Sequence, residues 1–569
     1  MILVCQGYGL DGRVSAAKLA LTWENVVMGY NFAGGAGGDQ EWLLPPDPRE
    51  WLPAGHLAWA MRAAVAQMDL TPLVAWYRAD GQGKKAYHPA LMVALIMYCY
   101  CKGIRSARAI EMATWDDVGA RVLAGNLHPD HATVARFVSR HEGPLKGLLV
   151  QSLAACARQG LVSVDVVAGD GTKVKASASM AANATAEQLE IEIGELEALL
   201  AAEVDTWFAQ AQAADAAEDA LFGGGGPDGG AAGPGAGGAT VTLARLTDKI
   251  VRRRKARGRL DAQAAGWQAQ ATAAHQDKIA RLERRVARHQ AAAAAKAAAA
   301  AARAADYQAR AAAKAAAGSR KRPDGRIPVP PEAHVVVRRE RAAAAKAGQA
   351  LDQARARPAT AGTPAKPPKA NTTDPGSGVM PAKNGGFGQL RNVQALAGKH
   401  QVIYAITTHA NPTDTGALHP LLAAGRANLD AAGRCEAMGK ALFDAGYASD
   451  GNFTTACEPE LYVAITKEAR QTGRLADGKA PATMKDSWQQ MAAKLDTPQG
   501  KALYRQRAGI IEPVFAQLFA RLGRHLHYRD TKADLELHLW AASHNLLKAI
   551  RAQARQTATS PPDRLALAS

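Results

Sequence analysis

Cysteine is scarce and unpatterned in this chain. Six occur in 569 residues, at positions 5, 99, 101, 156, 435 and 457, and no two form a CxxC pair. That excludes a disulfide framework and fits a reducing cytosol. Cys99 and Cys101 sit in an apolar run and read as buried thiols. Long hydrophobic runs are also missing. The longest, "PALMVALIMYCYC" (89–101), is too short to span a bilayer, so no membrane partner is expected. The N-terminus lacks a basic stretch followed by an uninterrupted apolar one, so no signal peptide is expected. The 15 histidines lack cysteine partners at ligand spacing, in "HPDH" and "HLH" (525–527) alike, which argues against zinc. Acid is outnumbered: 52 Asp and Glu face 69 Lys and Arg, for a net charge of +17. That balance points to a polyanionic partner, nucleic acid first.

The length exceeds what one hydrophobic core usually serves. Residues 1–40 carry little pattern. Residues 41–150 read as a compact helical domain, with one buried helix over 89–101. Within it, "HPDHATVARFVSRH" sets Val134 and Phe137 on one helix face and Arg136 and Arg140 on another. That spacing suits either a DNA-reading helix or an ordinary bundle helix with surface arginines. Residues 181–370 differ in composition. An amphipathic helix pattern leads to the glycine-rich 223–238. Next come a short seam at Ile279, Leu282 and Val286, and a long alanine tract with little to bury. The basic tracts "VRRRKARGR" and "GSRKRPDGR" suit phosphates or plain solvation. From about 386 the pattern becomes α/β. "GQLRNVQALA" and "HQVIYAITTHA" form a hairpin across Gly398–Lys399, and "ALFD" and "PELYVAIT" are further strands. Two helices follow, and 553–569 reads as a disordered tail.

Carboxylates carry the chemistry. In "LVSVDVVAGDGTKVKASAS" the alternation of Val162, Val164 and Val166 predicts a strand that stops on Asp170. Asp444 closes a second short strand. Two strand-end carboxylates can converge on a magnesium ion, which keeps several waters and takes few protein ligands. Glu512, in "YRQRAGIIEPVFAQL", is the third candidate. Apolar neighbours suggest that it faces a protected site, and Pro513 places it near a helix start or kink. Asp165, Asp450, Glu458 and Glu536 compete. Lys173, Lys175, Tyr504 and Arg507 are candidates for DNA phosphates.

Several stretches, in order, resemble the DDE transposases of the IS1182 group, within the IS5/IS4-like insertion-sequence enzymes. They are "LLPPDPREWLPAGHLAW", "YHPALMVALIMYCYCKGIRSARAIE", "HPDHATVARF", "DGTKVKASAS", "NTTDPGSGVM", "DAGYAS", "YRQRAGIIEPVFAQL" and "HLWAASHNLLKAI". The resemblance implies an α/β fold: an RNase H-like mixed-sheet core over 160–180 and 371–552, with a helical N-terminal DNA-binding domain. A long helical, partly low-complexity insertion (181–370) then separates the first two core strands. Asp170 would lie on the first strand, Asp444 on the fourth and Glu512 on a following helix, together holding Mg²⁺ or Mn²⁺. The implied activity is binding of insertion-sequence ends with metal-dependent strand cleavage and strand transfer. The implied partner is double-stranded DNA, both terminal inverted repeats and target, bound by a homo-oligomer in the bacterial cytoplasm at the nucleoid. Tyr504 and Arg507 match the family's Tyr-Arg-Glu signature. Its usual lysine, seven residues after the glutamate, is replaced by Phe519, and Arg521 is the nearest basic substitute. Phe519 and the alanine-rich insertion motivate an alternative, a catalytically decayed, transposase-derived DNA-binding protein. A third reading gives the insertion a role in pairing protomers.

Overall fold

A computed structural model describes residues 50–77, 86–222, 236–318, 321–359, 367–382, 385–465 and 486–559. The readings made for 1–40, for most of the glycine-rich stretch and for 560–569 lie outside the described residues.

One mixed sheet organises the core. Its strands are β1 (Val166–Lys175), β4 (Gly378–Pro381), β5 (Phe387–Gly398), β6 (Ile403–His409), β7 (Lys440–Phe443) and β8 (Glu460–Val463). A separate pair, β2 (Asn183–Thr185) and β3 (Lys369–Asn371), closes the neck of the insertion. β5 and β6 form the expected antiparallel hairpin, β5 pairs antiparallel with β1, and β1, β7 and β8 run parallel. An antiparallel hairpin feeding parallel strands is the RNase H-like mixed sheet that the resemblance implied.

β1 differs from its sequence pattern. It begins at Val166 and runs on to Lys175, so Asp170 lies mid-strand instead of at a strand end. The reason is the partners. The β5 hairpin turns away at Gly398, opposite Val167, so Val162 and Val164 are buried without a ladder on that side. On the other side β7 pairs only as far as Ala168. Beyond that residue β1 keeps β5 but has an open edge, and Asp170 is near the start of it.

Helices cover both faces. α1 (Pro89–Cys101) is apolar all round and buried, as its composition requires, with His88 accepting from Ala90 N at its start. α2 (His131–Arg140) buries Val134 and Phe137 and exposes Arg136 and Arg140. α3 (Leu148–Arg158) leads into β1. The insertion supplies α4 (Ala186–Phe222), α5 (Ala236–Ala316) and α6 (Val335–Ala356). After β6 come α7 (Leu418–Ala431), α8 (Gln506–Leu522) and α9 (Thr531–Thr559). α9 continues past 552, so the start of the expected disordered tail is helical.

The alanine tract of α5 does have something to bury. Ala293 and Ala300 are buried, as are Val337, Ala347 and Leu351 of α6. Small side chains let the two helices pack closely, and ion pairs fix their antiparallel register. Glu340 takes His289 and Lys296, each at 2.8 Å, and Arg355 meets Glu283 at 2.6 Å. The tract "VRRRKARGR" is occupied by protein partners. Arg253 pairs with Glu192, Arg254 with Glu197 and Arg257 with Glu190, all on α4. Lys255 pairs with Asp530 of the core, and Arg259 donates to the carbonyl of Pro375 at 3.0 Å. This stretch roots the insertion on the sheet.

Candidate active site

Alternation along β1 places Asp170 with Thr172 and Val174 on one face, and Gly171 with Lys173 and Lys175 on the other. The Asp170 face packs against α8, whose Ile510, Ile511 and Val514 are buried. Arg507, near the start of α8, comes down onto it. Arg507 Nη2 is 3.0 Å from Asp170 Oδ2, and Nη1 is 3.9 Å from Glu512 Oε1. Its side chain is only 4% exposed. Burial works against the guanidinium charge. Asp170, Tyr504, Asp444 and Glu512 together outweigh that, so Arg507 is held above its ordinary range.

Glu512 differs from the expectation of a protected carboxylate. Its side chain is 57% exposed, on the opposite side of α8 from the buried Ile510, Ile511 and Val514. Pro513 lies inside α8. Proline has no N–H to give to Gly509, four residues back. The Gly509 carbonyl instead accepts from Gln401 Nε2 at 3.2 Å.

Asp444 follows β7 directly and caps the short turn Ala445–Tyr447, its Oδ1 accepting from Gly446 N at 2.9 Å. Asp170 Oδ1 likewise accepts from the next residue, Gly171 N, at 2.9 Å. The Tyr504 hydroxyl donates to the carbonyl of Phe443 at 3.2 Å, which pins the end of β7 immediately before Asp444. Tyr504 and Arg507, read from sequence as phosphate contacts, therefore brace the carboxylates.

A residue that sequence reasoning missed lies between the two strands. Asp414 Oδ1 accepts from Asn392 Nδ2 at 2.6 Å and Gln394 Nε2 at 2.8 Å. A β-carbon added to Gly171 would fall 2.7 Å from Asp414 Oδ1. One added to Gly446 would fall 3.0 Å from both Asp414 Oδ2 and Asp444 Oδ1. Tyr447, whose hydroxyl donates to Gln394 Oε1, is pushed far up by burial first and then by Asp414, Asp170 and Asp444. The sequence from Asp414 onward reads as helical, the helix in fact begins at Leu418, and no local signal marks Asp414.

The remaining candidates scatter. Lys173 and Lys175 are on the sheet face opposite Asp170, and Lys175 is exposed. Arg521 faces Cys101 and Arg551, and burial lowers its pKa. Past the sharp turn at Gly523 (φ 73°) a second arginine, Arg524, holds its guanidinium 4.3 Å over the Phe519 ring, exposed to solvent. Arg136 and Arg140 are exposed on α2, away from the carboxylates in sequence. Of the competing acids, Glu536 is fully buried against Arg105 at 2.9 Å and accepts from His527 N and Tyr528 N, a structural role. Asp450 accepts from Ser487 Oγ at 2.5 Å.

Two family models match the chain. One described as a transposase domain (DUF772) covers residues 46–140, and one described as a transposase DDE domain covers 370–546. The chain carries a transposase domain followed by a transposase DDE domain, the arrangement of a DDE transposase. The second match contains Asp414, Asp444, Arg507 and Glu512, while Asp170 precedes it on the strand that the insertion separates from the rest of the core. No curated protein and no solved structure matches the chain.

DDE transposases generally use a divalent metal ion. Among the described residues no group of three or more His, Cys, Asp or Glu side chains is arranged to hold one. The donor chemistry of this transposase nonetheless fits a hard cation. Its candidate ligands are carboxylate oxygens, and magnesium is usually held by one or two of them, completed by water and substrate phosphate. Arg507 now supplies positive charge beside Asp170. Among the described residues no helix is long and apolar enough to cross a membrane.

Proposed function

We propose that this transposase binds double-stranded DNA at the ends of its own insertion sequence and cleaves and rejoins strands at Asp170, Asp444 and Glu512. The observation that carries the reading is Arg507. One buried guanidinium pairs with Asp170 at 3.0 Å, comes within 3.9 Å of Glu512 and lies in the field of Asp444, acids that come from a strand, a helix and a strand end. Asp170 and Asp444 are the ligands for Mg²⁺ or Mn²⁺, and Glu512 joins them when DNA covers its exposed side. A bound divalent ion supplies charge neutralisation at the scissile phosphate and an activated water or 3′-hydroxyl. The chain's own residues do the positioning. Tyr504 fixes the end of β7, and Arg507 holds Asp170 at 3.0 Å while reaching towards Glu512 at 3.9 Å.

DNA contacts are assigned to side chains still exposed. Arg524 takes the phosphate beside the site in place of the family's lysine, stiffened by Phe519. Arg136 and Arg140 on α2 and Lys175 on β1 extend the contact, within a strongly basic chain. A homo-oligomer on two ends follows from the need to cut both. The test uses purified full-length chain and duplexes from the DNA flanking its coding region. Retarded mobility in a gel and nicking in Mg²⁺ support the reading. Binding without nicking in either Mg²⁺ or Mn²⁺ favours the decayed, DNA-binding alternative.

A further inference from the structure

We propose that Asp414 is a fourth carboxylate of this site, adding its charge to that of Asp444 for the same divalent cation. The inference rests on the metal reading above and deepens it.

Geometry carries the argument. Asp414 lies against Gly171 of β1, on the face opposite α8, where the strand has lost its β7 partner. Its Oδ1 is fixed by two amides on β5, Asn392 and Gln394, whose side chains are themselves buried. That leaves Oδ2 directed at Gly446, beside Asp444 Oδ1: both oxygens lie 3.0 Å from the point a Gly446 β-carbon would occupy. The two oxygens therefore lie no more than twice that distance apart; like charges at that range repel, and a cation beside both relieves the repulsion. Backbone at two positions is stripped to make room. Any side chain at Gly171 would strike Asp414, and any at Gly446 would strike Asp414 and Asp444 together. A merely structural acid would be expected to find a basic partner. Two neutral amides orient Asp414, and the basic group near it, His409, is pushed towards its neutral form by burial, whereas Asp374 nearby is paired with Arg391 in full burial.

Asp414→Asn separates the possibilities, because asparagine keeps an oxygen to accept from Asn392 and Gln394 while losing the charge. Mn²⁺ binding to the full-length chain is measured by titration calorimetry, and thermal midpoints are taken in EDTA. Wild type should bind Mn²⁺, and D414N should bind it about 10- to 100-fold more weakly, the usual effect of losing a residue that supports a metal. In EDTA D414N should melt at or above the wild-type temperature, since a repulsion has been removed. Asp414→Glu, which keeps the charge, should retain more Mn²⁺ affinity than D414N. Equal Mn²⁺ affinity in D414N and wild type overturns the inference and leaves the metal reading intact. So does a D414N chain that fails to fold or melts well below wild type in EDTA. Wild type that does not bind Mn²⁺ at all overturns the metal reading itself, and this inference with it.

Discussion

Replacing Arg507 with methionine tests how the acidic site holds together before any metal arrives. Arg507 is 4% exposed and its Nη2 lies 3.0 Å from Asp170 Oδ2. At that separation the gross attraction is about 5 kcal/mol for an effective dielectric near ~20. Most of it is offset by the desolvation of both groups. Removing one partner of such a pair, however, exposes the penalty on the other, about 3–5 kcal/mol for a fully buried charge. Asp170 keeps 21% exposure and a hydrogen bond from Gly171 N, so the lower end applies, about 3 kcal/mol. Methionine fills similar volume, which separates the lost charge from a cavity. In EDTA, Arg507→Met should melt several degrees below wild type. Added Mn²⁺ should raise the variant's midpoint more than the wild type's, because the ion takes over the charge that the guanidinium supplied. A ligand at a hundred times its dissociation constant contributes about 2.7 kcal/mol, enough to recover most of the loss. Thermal unfolding with and without Mn²⁺ reads both effects. Equal midpoints in EDTA, or an equal Mn²⁺ effect in the two proteins, would refute the view that Arg507 and the cation serve the same carboxylates.

Three further outcomes follow from the geometry. Gly446→Ala sets a methyl 3.0 Å from oxygens of Asp414 and Asp444, and should cut strand cleavage at least tenfold with little change in melting temperature; an active variant would show that the two carboxylates need not stay close. Arg524→Ala should weaken duplex binding uniformly across sequences and reduce the salt slope by about 1, as loss of one phosphate contact does, which gel shifts at several salt concentrations would measure. His544 is buried with Nε2 2.8 Å from the Gln401 carbonyl, and burial pushes its pKa down to about 3. The unfolded chain therefore binds the extra proton first, so this residue's stabilisation is present above its ordinary value and is lost as pH falls below it. The loss is about 1.4 kcal/mol per pH unit. His544→Gln should flatten that part of the acid branch in urea titrations at pH 7 and pH 5, and an unchanged slope would exclude His544 as its source.

The sequence announced the parts of the site that are contiguous in the chain. β7 ends at Phe443 with Asp444 next, and Tyr504, Arg507 and Glu512 fall within one short stretch around the start of α8. The hairpin of β5 and β6 was legible from alternation alone. What stayed hidden depends on partners distant in sequence. The extent of β1 is set by where β5 and β7 stop, so a local valine pattern misplaced its start. Arg507 read as a phosphate contact because nothing local says that its head is buried against Asp170. Asp414 lies in a turn whose importance appears only when Gly171 and Gly446 are brought against it. Arg524 reaches Phe519 only because the chain reverses at Gly523, whereas Arg521 was merely the nearest basic residue in sequence and points elsewhere on the helix. The alanine tract looked coreless since its partner, α6, lies beyond a proline-rich turn.

The central claim is that three acids from separate elements make one phosphoryl-transfer site. The direct measurement is strand cleavage of a flanking-DNA duplex in Mg²⁺ by wild type, Asp170→Ala, Asp444→Asn and Glu512→Gln, with binding of the same duplex measured in parallel. The account predicts that each substitution abolishes cleavage while duplex binding stays within a few-fold of wild type. Full cleavage by Asp170→Ala would contradict it.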